Sequence, residues 1–298
     1  MKVCSIVVTY NGEHCIARCL QSLRDSTLKS KVIVIDNASS DETVNLIKTN
    51  FQDVEHIPQS RNLGFGAANN IGIRLALREN ADYVFLLNQD AYIESDTLEK
   101  LVEIASGNPD IGILSPVQDY APGIPERYFT MFLNAGISKY PAADNLQPVD
   151  FVDAAIWLIP IAVVKKVGLF SPLFYHYGED DNFCDRVLYF KYRICVAMDQ
   201  VAFHETRQEV NFPKGHLVYL IRRFRLKLRT YLANPCCSAK SEIQRLIKEI
   251  WNEPVRGKLK GVLYRTIVIT IVICDLIIDF GKISGFRSRS KKVGAFIY

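Results

Sequence analysis

The first 120 residues alternate two kinds of pattern. Short runs dense in Val, Ile and Leu fall at 3–9, 31–36, 54–57, 83–87 and 111–117, and helical stretches lie between them at 13–25, 41–50, 66–80 and 96–106. Continuous apolar runs of this kind suit strands buried on both faces of a parallel sheet. Ser39 and Ser40 ahead of Asp41 and Glu42 read as a capped helix start. The alternation predicts βαβ units, and so an α/β fold with a mostly parallel sheet flanked by helices.

From 120 to 148 the pattern dissolves into Pro, Gly and aromatic residues, which predicts a loop-rich insertion. A strand is expected over 149–160, a short helix over 161–167 and a loop running into a helix over 178–190. Short strands are expected at 193–198 and 201–203. Beyond Asn211 the pattern becomes long and helical, at 215–233, 239–251 and 257–282. The expected organisation is a catalytic α/β domain over 1–212 and a helical extension over 213–298.

Composition narrows this only a little. With 298 residues there is room for one large domain and an appendage. Apolar residues at 49% and charged residues at 23% are ordinary for a folded globular chain. A net charge of +4 gives no argument for a nucleic-acid partner, and none is expected. The basic residues are clustered, however, at Lys214, Arg222, Arg223, Arg225, Lys227 and Arg229, and again over 287–292. Such clusters attract phosphate-rich surfaces, an anionic membrane among them. The stretch 262–280 is rich in Ile and Val but interrupted by Arg265, Asp275 and Asp279, short of the roughly 20 predominantly apolar residues a bilayer span needs. It reads as an amphipathic helix lying on a membrane or packing against another subunit, with a core helix as the alternative. The eight cysteines form no CxxC pair, and several sit in apolar runs, which fits a reduced, cytoplasmic compartment. The first apolar run reads as a strand and not as a signal-peptide core.

In open α/β sheets, ligands bind outside the carboxyl ends of the strands. Polar residues accumulate there: Thr9-Tyr10-Asn11 after the first run, Asp36-Asn37 after the second, Asn88-Gln89-Asp90 after the fourth. Each alone reads as a turn or helix cap; three on one sheet edge predict a polar cleft. A dinucleotide site needs a glycine-rich turn after the first strand. Tyr10-Asn11-Gly12-Glu13 has a single glycine, and no P-loop is present. The missing glycine-rich loop also argues against a nucleotidyltransferase.

Five blocks then occur in a telling order: Ser5 to Asn11 (SIVVTYN), Val34 to Asp41 (VIDNASSD), Arg61 to Asn69 (RNLGFGAAN), Phe85 to Asp90 (FLLNQD) and Tyr177 to Asp181 (YGEDD). In this order the chain resembles family 2 glycosyltransferases over about residues 1–210. The bacterial rhamnosyltransferases and related cell-surface polysaccharide enzymes are the subgroup it most resembles. The resemblance implies the GT-A fold, a Rossmann-like nucleotide-binding sheet. It also implies roles. Thr9, Asn11 and Asp36 match positions that hold nucleobase and ribose, and Arg61, Asn69 and Asn88 border the nucleotide. Asn88-Gln89-Asp90 stands where the family carries its DxD motif, with Asn88 in place of the first acid. Asp90 is left as the carboxylate for Mg2+ or Mn2+, and His204 matches a position that often supplies a second ligand. Such cations favour oxygen ligands and take others from phosphate.

Asp180 matches the catalytic base, with Glu179 and Asp181 beside it as acceptor-orienting acids, Asp181 also rivalling Asp180 as base, and Arg186 placed one turn on to steady them. Read without the family, Gly178 to Asp181 is an acidic helix start. Asp153 and Trp157 match segments bordering the acceptor, where an aromatic face suits a sugar ring; a core tryptophan is the alternative. The implied reaction is inverting sugar transfer from a nucleotide sugar, dTDP-rhamnose first and a UDP-hexose next. The acceptor would be a glycan or lipid-linked glycan at the inner face of the cytoplasmic membrane. Peripheral membrane association or homo-oligomerisation through the C-terminal helices would follow. Two other classes remain, a nucleotide-sugar-binding protein without catalysis and a helical assembly module.

Overall fold

The computed structural model describes residues 1–135, 145–205, 216–253 and 258–297; Lys214 and part of the 120–148 insertion lie outside them. The chain divides into two compact units, Met1–Thr206 with Val293–Tyr298, and Arg207–Lys292.

In chain order the first unit runs β1 (Val3–Thr9), α1 (Ile16–Asp25), β2 (Lys31–Asp36), α2 (Thr43–Asn50), β3 (Glu55–Pro58), α3 (Phe65–Arg78), β4 (Tyr83–Asn88), β5 (Ala91–Ile93) and α4 (Thr97–Gly107). It continues with β6 (Ile111–Ala121), β7 (Ile124–Pro125), α5 (Arg127–Ala135), β8 (Leu146–Val149), β9 (Ile156–Pro160), α6 (Ile161–Val167), α7 (Glu179–Tyr189) and β10 (Arg193–His204). The sheet order is β3-β2-β1-β4-β9-β6-β10-β5, with β7 on β6 and β8 on β10. The first four strands of that order are mutually parallel, as the unbroken apolar runs predict. Beyond them the sheet is mixed, because β9 enters antiparallel between β4 and β6 while β10 lies parallel to β6. Their side chains form one core, with Val7, Ile16, Leu20, Val34, Phe85, Leu98, Leu101, Ile111 and Leu158 all buried. Burying such side chains contributes about 1.5–3 kcal/mol each.

Several local expectations change. The 120–148 insertion carries β7, α5 and β8. Strand β6 runs to Ala121 and turns back through Gly123, a pairing that its Pro and aromatic residues conceal. The expected 149–160 strand splits in two, leaving 150–155 free to pass the site. The pair 193–198 and 201–203 is one strand, β10, with a register break between Ala197 and Val201. Three-residue β5 is too short to show a period.

The extension expected over 213–298 also loses its last residues to the first unit. Leu169 N–H donates to Ala295 O at 2.8 Å, and Gly294 N–H to Lys166 O at 3.0 Å. Gly168 permits this close approach: its φ is +93°, and a Cβ there would lie 1.8 Å from Ala295 O. An L side chain fits neither that conformation nor that space.

The second unit contains α8 (His216–Ala233), α9 (Ala239–Asn252) and α10 (Lys258–Ser290). The cationic face expected of α8 is mostly paired internally. Arg223 contacts Glu253 at 2.8 Å, Arg225 Asp275 at 2.6 Å and Arg229 Asp279 at 3.2 Å, while Lys227 pairs with Glu249. Asp275 and Asp279, which interrupt the apolar run in sequence, therefore face α8. The opposite side of α10 exposes Leu263, Ile273, Ile277, Ile278 and Phe280. At 33 residues α10 is longer than the sequence suggests. By length and composition alone its Lys260–Ser290 part suffices to cross a membrane, contrary to the shortfall read from 262–280.

Candidate active site

Strand register gathers the polar ends. Thr9 pairs with Asp36 across β1 and β2, and Val8 with Asn88 across β1 and β4. Their termini border a cavity of about 390 Å³ lined by Val8, Tyr10, Asn37, Asn62, Gly64, Phe65, Asn88, Gln89, Asp90, Tyr175 and His176.

Gln89 fastens two of these ends together. Its Oε1 accepts from Thr9 Oγ1 at 2.6 Å and from Tyr10 N–H at 3.0 Å, and its Nε2 donates to Tyr10 O at 3.2 Å. Gly12 makes room, since a Cβ there would stand 2.2 Å from Gln89 Oε1. Asn37 ties down the next loop by accepting from Leu63 N–H at 3.0 Å. Asn11 accepts from Ser40 N–H at 2.9 Å, and the Asp36 carboxylate accepts from Ser39 N–H at 3.3 Å. Thr9 and Asp36 are buried, so Thr9 shapes the cleft floor through Gln89.

Asp90 and His204 come together as the sequence suggests. Asp90 sits between β4 and β5, and its carbonyl accepts from Glu205 N–H at 2.8 Å, just beyond the end of β10. His204 Nε2 lies 3.5 Å from Asp90 Oδ1, and His204 Nδ1 lies 4.0 Å from Asp153 Oδ2. Burial alone would lower the imidazole pKa, but Asp90, Asp153 and Glu126 together raise it above its ordinary value. Three carboxylates around one imidazole leave a surplus of negative charge that a cation would offset.

Among the described residues no group of three or more His, Cys, Asp or Glu side chains could hold a metal ion by itself. An oxygen and a nitrogen facing each other at 3.5 Å nevertheless fit two ligands of Mg2+ or Mn2+. Such ions complete their shell with water and phosphate oxygens. The residues present therefore fit a cation shared with a bound diphosphate.

The acids at the start of α7 separate into distinct environments. Burial raises the Asp180 pKa, opposed by backbone N–H groups of Asp181, Asp180, Gly178 and Ala154. Burial and the neighbouring Asp180 push Glu179 up to about 7; its Oε2 is buried without a hydrogen-bond partner. Asp181 is exposed. Burial pushes Asp153 up to about 6, with His204 opposing and Asp180 and Glu126 adding. Asp180 thus lies within electrostatic reach of Asp153, which in turn faces His204.

The structure places four of the expected residues in other contacts. Trp157 is fully buried and stacks with Phe170 at 6.2 Å between ring centres, because its strand β9 is internal to the sheet. Asn69 is buried and donates to Phe65 O one helical turn back at 3.1 Å, and so is spent within α3. Arg186 is buried and donates to Val167 O at 2.8 Å and Leu169 O at 2.7 Å, holding the α6–α7 connection and not the acids. Asp153 faces the imidazole at 4.0 Å, a pairing that no spacing in the sequence signals. Arg61 is exposed, next to the cavity-lining Asn62.

Sequence reasoning also missed residues. Tyr175 and Tyr177 are exposed by 64% and 66%, and Tyr175 and His176 line the cavity. Tyr177 has φ +67°, an uncommon conformation for a bulky residue. Such strain concentrates at ligand sites. Three consecutive aromatics before the acids were the available signal. Gln118 and Glu126, both buried, gave none, since β6 comes beside β10 and the Glu126 charge comes within reach of His204 only in three dimensions.

Comparison with known proteins bears on the family and the fold. A family model described as glycosyl transferase family 2 matches residues 4–167, more than half of the chain. A low-salt glycan biosynthesis hexosyltransferase of Haloferax volcanii is 27% identical over 225 residues, covering 72% of this chain and 71% of that protein. An N-acetylglucosaminyl-diphospho-decaprenol L-rhamnosyltransferase of Mycobacterium tuberculosis is 24% identical over 243 residues, covering 71% and 79%. A mannosyltransferase from Pyrobaculum calidifontis, solved with GDP-Man and Mn2+, shares the fold with a TM-score of 0.56 at 18% identity over 96% of this chain and 84% of that one.

Proposed function

From the premise that this chain belongs to glycosyl transferase family 2, we propose that it catalyses inverting sugar transfer from a nucleotide sugar to a glycan or lipid-linked glycan. The observation that carries the reading is the facing pair Asp90 and His204 at the rim of the cleft, with Asp153 linking them electrostatically to Asp180. In this reading Asn11, Asp36, Asn37 and Asn62 hold the nucleoside, on a floor set by Thr9 and Gln89. Asn88 turns a neutral amide toward the diphosphate. Asp90 and His204 would hold Mg2+ or Mn2+, which supplies charge neutralisation for the departing nucleoside diphosphate.

Asp180 takes the proton from the acceptor hydroxyl as its oxygen attacks the anomeric carbon. The bond from that carbon to the diphosphate oxygen breaks on the opposite face, and configuration inverts. A carboxylate with a raised pKa is the better proton acceptor, provided it remains ionised at working pH. Tyr175 and Tyr177 offer exposed aromatic faces for the acceptor ring, replacing Trp157 in that role, with Asp181 at the rim. Rhamnose from dTDP-rhamnose is the donor favoured, supported by the coverage of the mycobacterial relative; a UDP-hexose is the second reading.

The exposed apolar side of α10, with Lys282, Lys291 and Lys292 exposed near its end, supports peripheral docking at the inner face of the cytoplasmic membrane. Thermal-shift screening against dTDP, UDP and GDP, each with and without Mn2+, tests the donor site. One nucleotide must stabilise the protein, and more so with Mn2+. Indifference to all three would overturn the reading.

A further inference from the structure

His204 closes β10 with one nitrogen engaged and one not. Its Nε2 faces Asp90 Oδ1, while Nδ1 is buried with no hydrogen-bond partner. The carboxylate opposite Nδ1 is Asp153, 4.0 Å away through Oδ2. The other oxygen of Asp153 is fixed: Gln118 Nε2 donates to Oδ1 at 3.0 Å. Gln118 is itself fully buried and sits on β6, paired in register with Ala202 of β10. Gln118 and His204 therefore rise from neighbouring strands of one sheet, and Asp153 is held between them. It comes from the 150–155 connection that the split of the expected strand leaves free to pass the site.

We propose that Asp153 is a positioning residue for His204, and Gln118 the anchor that aims it. An imidazole coordinates a cation only through an unprotonated nitrogen. Which nitrogen carries the proton is set by the acceptor offered to the other one. A carboxylate at Nδ1 keeps the proton there, holds the ring plane and leaves the Nε2 lone pair toward Asp90. Asp153 thereby leaves the acceptor site to which its place in the sequence assigned it and acts through the ring. The inference rests on the reading of Asp90 and His204 as metal ligands. It adds that His204 binds well only with Asp153 behind it.

A double-mutant cycle read by Mn2+ binding tests this. Isothermal titration would measure the Mn2+ Kd in the presence of whichever of dTDP, UDP and GDP gives the largest thermal shift. Wild type, Asp153→Ala, His204→Ala and the double variant are compared. Asp153→Ala weakens Mn2+ binding about 10- to 100-fold, with nucleotide affinity in EDTA unchanged. In the His204→Ala background the same change has almost no further effect, because residues acting through one another are not additive. An unchanged Mn2+ Kd in Asp153→Ala, or an equal loss in both backgrounds, overturns the positioning role. A His204→Ala protein that binds Mn2+ as wild type does would instead overturn the metal reading beneath it. Asp153→Asn, which preserves volume, carries the same cycle if the alanine variant fails to fold.

Discussion

Gln89 Oε1 accepts from Thr9 Oγ1 at 2.6 Å, which joins the carboxyl ends of β4 and β1 through a side chain one residue beyond β4. The bond sets the floor of the cleft, because the same amide group also holds both backbone polar groups of Tyr10. Gln89→Ala leaves the Thr9 hydroxyl without this partner. It is expected to cost about 1–2 kcal/mol of stability and to weaken nucleotide binding. Urea denaturation and nucleotide titration measure the two effects, and unchanged nucleotide affinity would show the clamp to be irrelevant to the site.

Asp180→Asn retains the shape of the α7 start but cannot accept a proton. Turnover should fall about 10²–10⁴-fold with donor affinity preserved. Single-turnover transfer assays beside nucleotide titration separate the two, and an active variant would refute the assignment of the base.

Glu179 gives a pH signature that involves neither Asp90 nor His204. Its folded-state pKa, near 7, is raised above the unfolded value, so the folded protein binds more protons between the two. Stability therefore falls as pH rises from about 4.5 to about 7 and is level above that. Glu179→Gln removes the charge that burial disfavours. Its melting temperature should equal that of wild type near pH 4.5 and exceed it above pH 7, by about 1–3 kcal/mol in stability. A constant difference across that range would count against the buried carboxyl.

Asp90→Ala removes the acidic half of the facing pair with His204. The Mn2+-dependent part of the nucleotide thermal shift is expected to vanish while the metal-free part remains. Loss of both would mean that Asp90 holds the nucleotide or the fold, not the cation.

Ile277 and Ile278 are exposed by 75% and 77%, so replacing both by Glu leaves the α8 contact of α10 intact. Co-sedimentation with phosphatidylglycerol vesicles should drop at least about tenfold. Unchanged co-sedimentation together with a smaller species in light scattering would assign this face to a second copy of the chain.

The legible parts of this protein were those governed by local pattern. Strands β1, β2 and β4 are buried on both faces, so their Val and Ile runs showed directly, and the strand-end residues Thr9, Asp36 and Asp90 followed from the rule for open sheets. Legibility failed wherever an element depends on a distant partner. The run 149–160 reads as one strand, but only its second half, β9, lies between β4 and β6, which is why Trp157 is core and Asp153 is not. Gln118 acts on His204 through Asp153, and Glu126 acts through its charge, neither of which any spacing encodes. Asp275 and Asp279 looked like interruptions of an apolar helix because their Arg partners lie 50 residues earlier in the chain.

The return of Val293–Tyr298 to the first unit makes the second unit an insertion in topological terms, preceded and followed along the chain by the fold it interrupts. A ribosome must therefore deliver all of 207–292 before the segment beside Gly168 can be filled. Until then the α6–α7 corner, with the buried Arg186 guanidinium at its centre, lacks part of its cover. Truncating the chain before Val293 to study the catalytic unit would leave that corner open permanently. Excising 207–292 and rejoining the ends through a flexible linker would not.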